Sequence, residues 1–147
     1  MQIKTVLDKT TEQAKGSSAP QLPKRAHATD AGADLFCTED LVVPAHGNAT
    51  ARTGVHVQLP SGTCGLLVSK SGLNVRHDVT STGLIDEGFT GEILVRLHNH
   101  GDEDYHLSAG DKVSQMLVLP YAETQFVEVD HLDESERGDA GYGSTGR

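Results

Sequence analysis

The sequence predicts an all-β protein, built as a β-barrel or jelly roll, from three observations. Short runs in which apolar and polar residues alternate recur along the chain, and such runs are typical of strands with one buried face. Gly, Pro, Asn or Asp residues separate most of these runs, as turns between strands require. No long amphipathic helical pattern is present. A barrel or jelly roll of many short strands accounts for all three observations.

The elements follow from these runs in order. One short turn at Ser71–His77 is the best candidate for a helix, and the strand-like run Val79–Ile85 leads from it into a turn. The polar stretch 10–24 contains a Gly-Ser-Ser sequence and two prolines, which predicts a loop. The other predicted strands occupy residues 3–7, 53–59, 65–70, 92–99, 112–121 and 125–132.

Length and charge limit the possible functions. A chain of 147 residues fits one domain. The formal net charge of −9 argues against nucleic acid as a partner, because binding to its backbone needs clustered Lys and Arg. No apolar run approaches the ~20 residues of a membrane span, and the N-terminus lacks the apolar core of a signal peptide. We therefore expect a cytoplasmic protein with no membrane partner. It would belong to a cell, or to a virus or phage that replicates in a cell.

The two cysteines, Cys37 and Cys64, lack a metal-binding spacing and lie within apolar stretches. They are therefore predicted to be buried free thiols.

Residues 137–147 are rich in glycine and also carry an arginine, an aromatic residue and a Ser-Thr pair. Glycines leave backbone N–H groups free to approach anionic oxygens, and a guanidinium suits phosphate, so this tail predicts a lid over a phosphate group. A flexible terminus is the alternative. The predicted division is a barrel domain over residues 1–136 and an arm over residues 137–147, which holds too few apolar residues to fold without a ligand or partner.

Five separated blocks carry a more specific signal. They are DAGADL at 30–35, SKSGL at 69–73, GLIDEGFTGE at 83–92, GDKVSQM at 110–116 and RGDAGYGSTG at 137–146. In order and approximate spacing they resemble the motifs of the trimeric dUTP pyrophosphatase (dUTPase) family, and the resemblance runs from about Pro20 onward.

The resemblance implies a distorted jelly-roll barrel that forms a homotrimer, with active sites at subunit contacts and the C-terminal arm reaching a neighbouring subunit. It also implies the hydrolysis of dUTP to dUMP and pyrophosphate with Mg²⁺, which limits uracil in DNA and supplies dUMP for dTMP synthesis. An acidic protein can hold such a polyanion only with local basic groups, N–H donors and a divalent cation.

By this resemblance Asp86 is the catalytic carboxylate, which orients and deprotonates the attacking water. An Asp that caps a turn is the alternative for this position. Asp34 matches an aspartate near the triphosphate-bound Mg²⁺, which it reaches through metal-bound waters. A solvent-facing Asp at a strand end is the alternative for Asp34.

The substrate-binding residues that the resemblance implies form three groups. Lys70, which stands where the family has Arg, would contact the phosphates together with Ser71, Gly72 and Gln115. The uracil edges would be recognised by the main chain of the segment that begins at Thr80 and includes Gly83 and Ile85; some relatives have Asn in place of Thr80. Phe89, which stands where the family commonly has Tyr, would pack beneath the deoxyribose. From the arm, the contacts would come from Arg137, Tyr142, Gly143, Ser144 and Thr145; Ala140 replaces a usual glycine there.

Three alternatives remain open. A dCTP deaminase shares part of the third block but needs a glutamate where this chain has Arg96. A binder that senses dUTP as a signal is compatible with the same residues. The third is a nuclease or metal site at His98 and His100, which would project on the same face of one strand without a third ligand at useful spacing.

Overall fold

The structure, a computed structural model, describes residues 1–9, 15–135 and 138. Within these ranges short strands dominate, and one short helix, α1, spans Ser71–His77. The strands in chain order are β1 Lys4–Leu7, β2 Ala33–Phe36, β3 Leu41–Val43, β4 Asn48–Arg52, β5 Val55–Gln58, β6 Thr63–Val68, β7 Val79–Ile85, β8 Leu94–Asn99, β9 Tyr105–Leu107 and β10 Lys112–Pro120.

A curled six-stranded sheet forms the body of the molecule, with the strand order β2-β10-β6-β7-β8-β4. Two smaller antiparallel pairs, β1 with β5 and β3 with β9, complete the architecture. The chain order and the spatial order differ, because β10 returns from the far end of the chain to lie between β2 and β6. The prediction of an all-β, jelly-roll fold is confirmed.

The core lies on the inner faces of these sheets. Strand β8 illustrates this arrangement: Val95, Leu97 and Asn99 point to the inner face and are buried, while the residues between them are exposed. Burial of each such apolar side chain stabilises the fold by about 1.5–3 kcal/mol. Asn99 is the polar exception, and its amide donates to the carbonyl groups of Val43 and Glu103 at 3.0 and 2.8 Å. It therefore joins the end of β8 to β3 and to the following loop.

The two thiols differ in their environment. Cys37 is buried and its thiol donates to the carbonyl of Ser108 at 3.2 Å, whereas Cys64 is half-buried. Burial raises the pKa of the Cys37 thiol above its usual range. The prediction of free thiols is therefore confirmed, and full burial holds for Cys37.

The predicted helix at Ser71–His77 and strand at Val79–Ile85 have the bounds that the sequence indicated. The predicted strand over residues 125–132 is wrong, because no strand follows Pro120 among the described residues. Its alternating apolar side chains have no neighbouring strand in the part of the chain that the structure describes; Phe126 is 96% exposed and Leu132 is 84% exposed. An alternating pattern specifies a strand only where an edge is available to pair with it.

Within the described ranges no helix is long and apolar enough to cross a membrane. The predicted boundary between residues 136 and 137 falls outside the described residues and stays a prediction.

Candidate active site

A buried carboxylate with two lysines forms the first half of the site. Asp34 lies in β2 with its side chain only 8% exposed. One of its carboxylate oxygens accepts from Lys70 Nζ, and the other lies 2.8 Å from Lys112 Nζ. Lys70 comes directly before helix α1, and Lys112 begins β10 next to a β-bulge. Three elements thus place two positive charges on one buried negative charge.

The charge state of Asp34 follows from two opposing effects. Burial acts to raise the pKa of this carboxyl, but the hydrogen bonds and charges of Lys112 and Lys70 outweigh it and hold the pKa below its ordinary value. The carboxylate is therefore ionised at neutral pH. With the two ammonium groups it leaves a net positive charge on this surface of an acidic protein.

Gln115 lies beside this group, because it faces Asp34 across the ladder of β10 and β2. Its amide donates to the carbonyl of Ser69, the residue after β6, at 3.1 Å, and this bond holds the side chain in place. Ser71 and Gly72 form the exposed first turn of α1, and space is open around Gly72. The structure thus brings the residues predicted to contact the phosphates next to Asp34, which was predicted to lie near the Mg²⁺. We call this group the phosphate cluster, and it comprises Asp34, Lys70, Ser71, Gly72 and Gln115.

Hydrogen bonds of three serine side chains, Ser69, Ser81 and Ser114, connect the strands next to the cluster. Ser69 Oγ donates to the carbonyl of Ser81 at 3.0 Å and accepts from the Ser81 N–H at 2.9 Å. The buried hydroxyl groups of Ser81 and Ser114 are 2.9 Å apart, and Ser114 Oγ also donates to the Val68 carbonyl. These bonds join β6, β7 and β10 where the cluster lies.

The segment predicted to read uracil is strand β7. Thr80 lies at its start, where Thr80 Oγ1 and His100 Nε2 share a hydrogen bond of 2.9 Å. Gly83 and Ile85 pair with Leu67 and Gly65 of β6. β7 thus begins beside the phosphate cluster and runs away from it.

Asp86 lies in the turn that follows β7, and it is exposed. Its carbonyl accepts from the N–H of Phe89 at 3.0 Å, which closes the turn. The Phe89 ring is 43% exposed and lies over Gly91, where an added Cβ would come within 2.6 Å of the ring. Glycine at residue 91 is therefore needed for this close packing.

The two halves of the candidate site lie apart within one chain. The Ser69–Ser81 bonds place Lys70 near the start of β7, and Asp86 follows the end of that strand. At a rise of about 3.3 Å per residue, the distance along β7 from Thr80 to Asp86 is about 20 Å. A single chain therefore does not bring Asp86 to the phosphate cluster.

Sequence reasoning missed three residues near these groups: Lys112, Glu87 and Tyr121. Lys112 was visible in the block GDKVSQM, where it is the basic residue closest to Gln115. Glu87 and Tyr121 gave no signal, since their contact joins residues 34 positions apart. Only the folded chain shows it.

Other predicted residues have different outcomes. Arg137, Tyr142, Gly143, Ser144 and Thr145 lie outside the described residues. Arg96, which stands where a deaminase needs a glutamate, donates to the side chains of Thr50 and Asn48. His98 and His100 are both exposed, and no three His, Cys, Asp or Glu side chains gather into a metal site within the described ranges.

A sequence model of the dUTPase family matches residues 19–146. The chain belongs to the dUTPase family. The deoxyuridine 5'-triphosphate nucleotidohydrolase of Clostridium acetobutylicum is 41% identical over 135 residues, which cover 90% of this chain and 93% of the relative. The corresponding protein of Saccharomyces cerevisiae is 36% identical over 141 residues, with 95% and 96% covered.

A solved dUTPase gives the same assignment. The structure of Staphylococcus bacteriophage 80alpha dUTPase with dUPNHPP superposes with a TM-score of 0.87 at 26% identity, and 99% of each chain is covered. The prediction of a dUTP diphosphatase, a nucleotide hydrolase, is confirmed.

Proposed function

We propose that this dUTPase hydrolyses dUTP to dUMP and pyrophosphate by attack of a water molecule on the α-phosphate. Asp86 orients that water and takes its proton, because an exposed carboxylate at the rim of a turn is accessible to both water and substrate. Pyrophosphate leaves in line with the attacking oxygen. The pathway role that follows is to limit uracil in DNA and to supply dUMP for dTMP synthesis, and we place the reaction in the cytoplasm.

The phosphate cluster binds the triphosphate. Lys70 is 24% exposed and therefore reaches solvent while it holds Asp34. The Ser71 hydroxyl and the Gln115 amide add neutral hydrogen bonds, and Gly72 lets the phosphates approach the backbone. The lysine ammonium group is a point charge, whereas an arginine guanidinium group can donate two parallel hydrogen bonds. Lysine therefore neutralises the phosphate charge without fixing the orientation of the phosphate.

The separation of about 20 Å between the phosphate cluster and Asp86 carries the proposal of a shared site. A nucleotide whose triphosphate lies in the cluster of one subunit meets the Asp86 of another. A homotrimer provides three such sites by rotation. The exposed apolar side chains of residues 121–135 support this assembly, because a neighbouring subunit can cover them.

The arm at residues 137–147 completes each site in this proposal. Arg137 contacts the phosphates, Tyr142 stacks on uracil, and Gly143, Ser144 and Thr145 donate to phosphate oxygens. The arm then closes over a site whose Asp86 belongs to a different subunit.

Base and sugar selection follow from β7 and the turn after it. The main chain from Thr80 to Ile85 offers donors and acceptors to the uracil edges, and cytosine would leave those groups unpaired. The Phe89 ring, which lies over Gly91, packs beneath the deoxyribose and excludes a 2′-hydroxyl group.

Mg²⁺ fits this site only as an ion carried by the substrate. Asp34 is the one carboxylate of the cluster, and each of its oxygens already accepts from a lysine. It therefore suits contact with metal-bound water rather than direct ligation. Bound in this way, Mg²⁺ would neutralise phosphate charge.

A comparison of dUTP with dTTP, dCTP and UTP in the presence of Mg²⁺, following both pyrophosphate and ammonia, tests this function. We expect pyrophosphate release from dUTP to be far faster than from the other three nucleotides. Comparable turnover of dCTP with release of ammonia would contradict the proposal.

A further inference from the structure

A closed network of hydrogen bonds lies directly beside Asp86. One carboxylate oxygen of Glu87 accepts from the Gly62 N–H at 2.7 Å and from the Tyr121 hydroxyl at 2.9 Å. The carbonyl of the same Gly62 accepts from the Tyr121 N–H at 3.1 Å. Gly62 has φ of +75°, a left-handed conformation that favours glycine. Three chain segments therefore meet at Glu87: the β5–β6 turn, the turn after β7 and the end of β10.

The turn at residues 86–89 has few other supports, although the loop that follows it is held at Thr90, whose carbonyl lies 3.0 Å from His56 Nδ1, and at Glu92, which accepts from the Gly54 N–H. Pairing of β7 ends at Ile85, and the next strand begins at Leu94. Among the described residues, no side chain forms a hydrogen bond with the Asp86 carboxylate. The backbone bond from Phe89 closes the turn but joins it to no other segment. Glu87 is the residue that ties this turn to the rest of the fold next to Asp86.

We propose that Glu87 is a positioning residue for Asp86. By its bonds to Gly62 and Tyr121, Glu87 holds the turn after β7 in place, so that the Asp86 carboxylate faces the attacking water. This inference rests on the proposed role of Asp86. A displacement of about 1 Å at a reacting group can lower the rate about 100-fold, so an otherwise weakly supported turn benefits from such a tether.

The surroundings of Glu87 argue against a role in stability alone. The network lines an open cavity of about 710 Å³, and both Gly62 and Tyr121 are exposed. Hydrogen bonds in exposed positions contribute little to the free energy of unfolding. The Gly62 N–H, followed by the hydroxyl groups of Tyr121 and Ser61, lowers the pKa of Glu87, so the carboxylate stays ionised at neutral pH.

Glu87→Ala and Glu87→Gln separate positioning from other roles. Alanine removes the acceptor, and we expect kcat for dUTP to fall roughly 10-fold or more while KM and the melting temperature stay close to the wild-type values. Glutamine keeps an acceptor oxygen of the same reach, and we expect it to restore most of kcat. Glu123→Ala is the matched control, since Glu123 lines the same cavity and, within the described residues, forms no hydrogen bond to the turn.

Tyr121→Phe completes a double-mutant cycle. Phenylalanine removes the Tyr121 hydroxyl and leaves the Gly62 N–H as a donor to Glu87, so we expect a smaller fall in kcat than for Glu87→Ala. In the Glu87→Ala background the same substitution should have almost no further effect, because the shared contact is already lost. Additive losses would show that the two residues act separately and would overturn the proposal.

Unchanged kcat in Glu87→Ala would also overturn it. So would a fall in kcat that comes with a lower melting temperature and that glutamine does not restore. The variant Asp86→Asn, measured in parallel, distinguishes failure of this inference from failure of the proposed function. If Asp86→Asn is active, Asp86 itself is not part of the mechanism. If Asp86→Asn is inactive and Glu87→Ala is fully active, only the role of Glu87 is contradicted.

Discussion

The two aspartates of the proposed site have opposite surroundings. Asp34 is buried and paired with two lysines, while Asp86 is exposed in a turn. A carboxylate held by two ammonium groups is a weak base and a good structural anchor. A carboxylate open to solvent can accept a proton from water. The environment of each residue therefore matches the role proposed for it.

Replacement of the proposed catalytic residue gives the first prediction. Asp86→Asn should lower kcat by orders of magnitude and leave nucleotide binding nearly intact, because the amide keeps the shape but cannot take a proton. Steady-state kinetics together with dUTP binding measured by calorimetry check this. A variant that retains most of its turnover would contradict it.

Lys70 gives the second prediction. Lys70→Arg should match or slightly exceed the wild-type kcat/KM, because a guanidinium can keep the ion pair with Asp34 and also offers a fork to phosphate. Lys70→Ala is the comparison variant and should lower kcat/KM, since it removes the charge. Inactivity of the arginine variant in the dUTP assay would mean that the cluster tolerates only lysine.

At the scale of elements, His56 connects the β1–β5 pair to the loop that leads into β8. Its Nδ1 lies 3.0 Å from the Thr90 carbonyl and its Nε2 lies 3.0 Å from an Asp8 carboxylate oxygen. Both partners can only accept, so the ring donates from both nitrogens and carries a positive charge. Arg52 and Glu92 form a neighbouring ion pair, and Arg52 also approaches Asp8.

The third prediction concerns pH. The hydrogen bond to the Thr90 carbonyl, together with Asp8, raises the pKa of His56 above its ordinary value. A raised folded-state pKa gives stability that is fully present below the unfolded pKa of about 6.5 and is lost as pH rises through the folded value. The difference in unfolding free energy between wild type and His56→Gln should therefore be larger at pH 6 than at pH 9.

Denaturant unfolding at both pH values measures that difference. His131→Gln removes an exposed histidine of the C-terminal segment and serves as the control. A difference for His56→Gln that stays constant with pH would contradict the prediction.

The sequence predicted elements well where local chemistry decides them. Helix α1 and strand β7 have their predicted bounds, because the turn between them and the alternation along β7 are local signals. Strand β4 was missed, since its sequence Asn-Ala-Thr-Ala-Arg has weak strand propensity and pairing with β8 imposes its conformation. The predicted strand at 125–132 failed for the opposite reason, because its pattern is favourable but no strand among residues 1–9 and 15–135 pairs with it.

The candidate site shows the same limit. The motif blocks named Asp34, Lys70 and Gln115, and the structure brings these three together. Lys112 and the contact of Glu87 with Tyr121 depend on the return of β10 through the sheet. Such long-range contacts are set by topology rather than by local sequence.

At the scale of the whole molecule, the formal charge of −9 contrasts with the local positive charge of Lys70 and Lys112 around Asp34 in the phosphate cluster. Acidic surface elsewhere disfavours nucleic acid and leaves the cluster as a local attraction for a small polyanion.

The fourth prediction tests sharing of the site between subunits. A variant lacking residues 137–147 and an Asp86→Asn variant should each be inactive alone. If the two are unfolded, mixed equally and refolded, random assembly should pair an intact Asp86 with an intact arm from another subunit in roughly a quarter of the sites. Activity towards dUTP should then return.

The truncated variant should still fold and assemble, which sedimentation measures, because the arm holds few apolar residues. If each arm served the Asp86 of its own subunit, no mixed site would be complete. The mixture would then stay as inactive as its parents.

Because about 20 Å of strand β7 separates the two groups, the activity of the enzyme should depend on the protein concentration. If the site is shared as proposed, a chain that holds its phosphate cluster and its Asp86 so far apart is inert by itself, whatever the amount of substrate. Specific activity should then fall on dilution below the concentration at which subunits separate, and it should recover when the protein is concentrated again. Newly made chains would hydrolyse nothing until they met their partners.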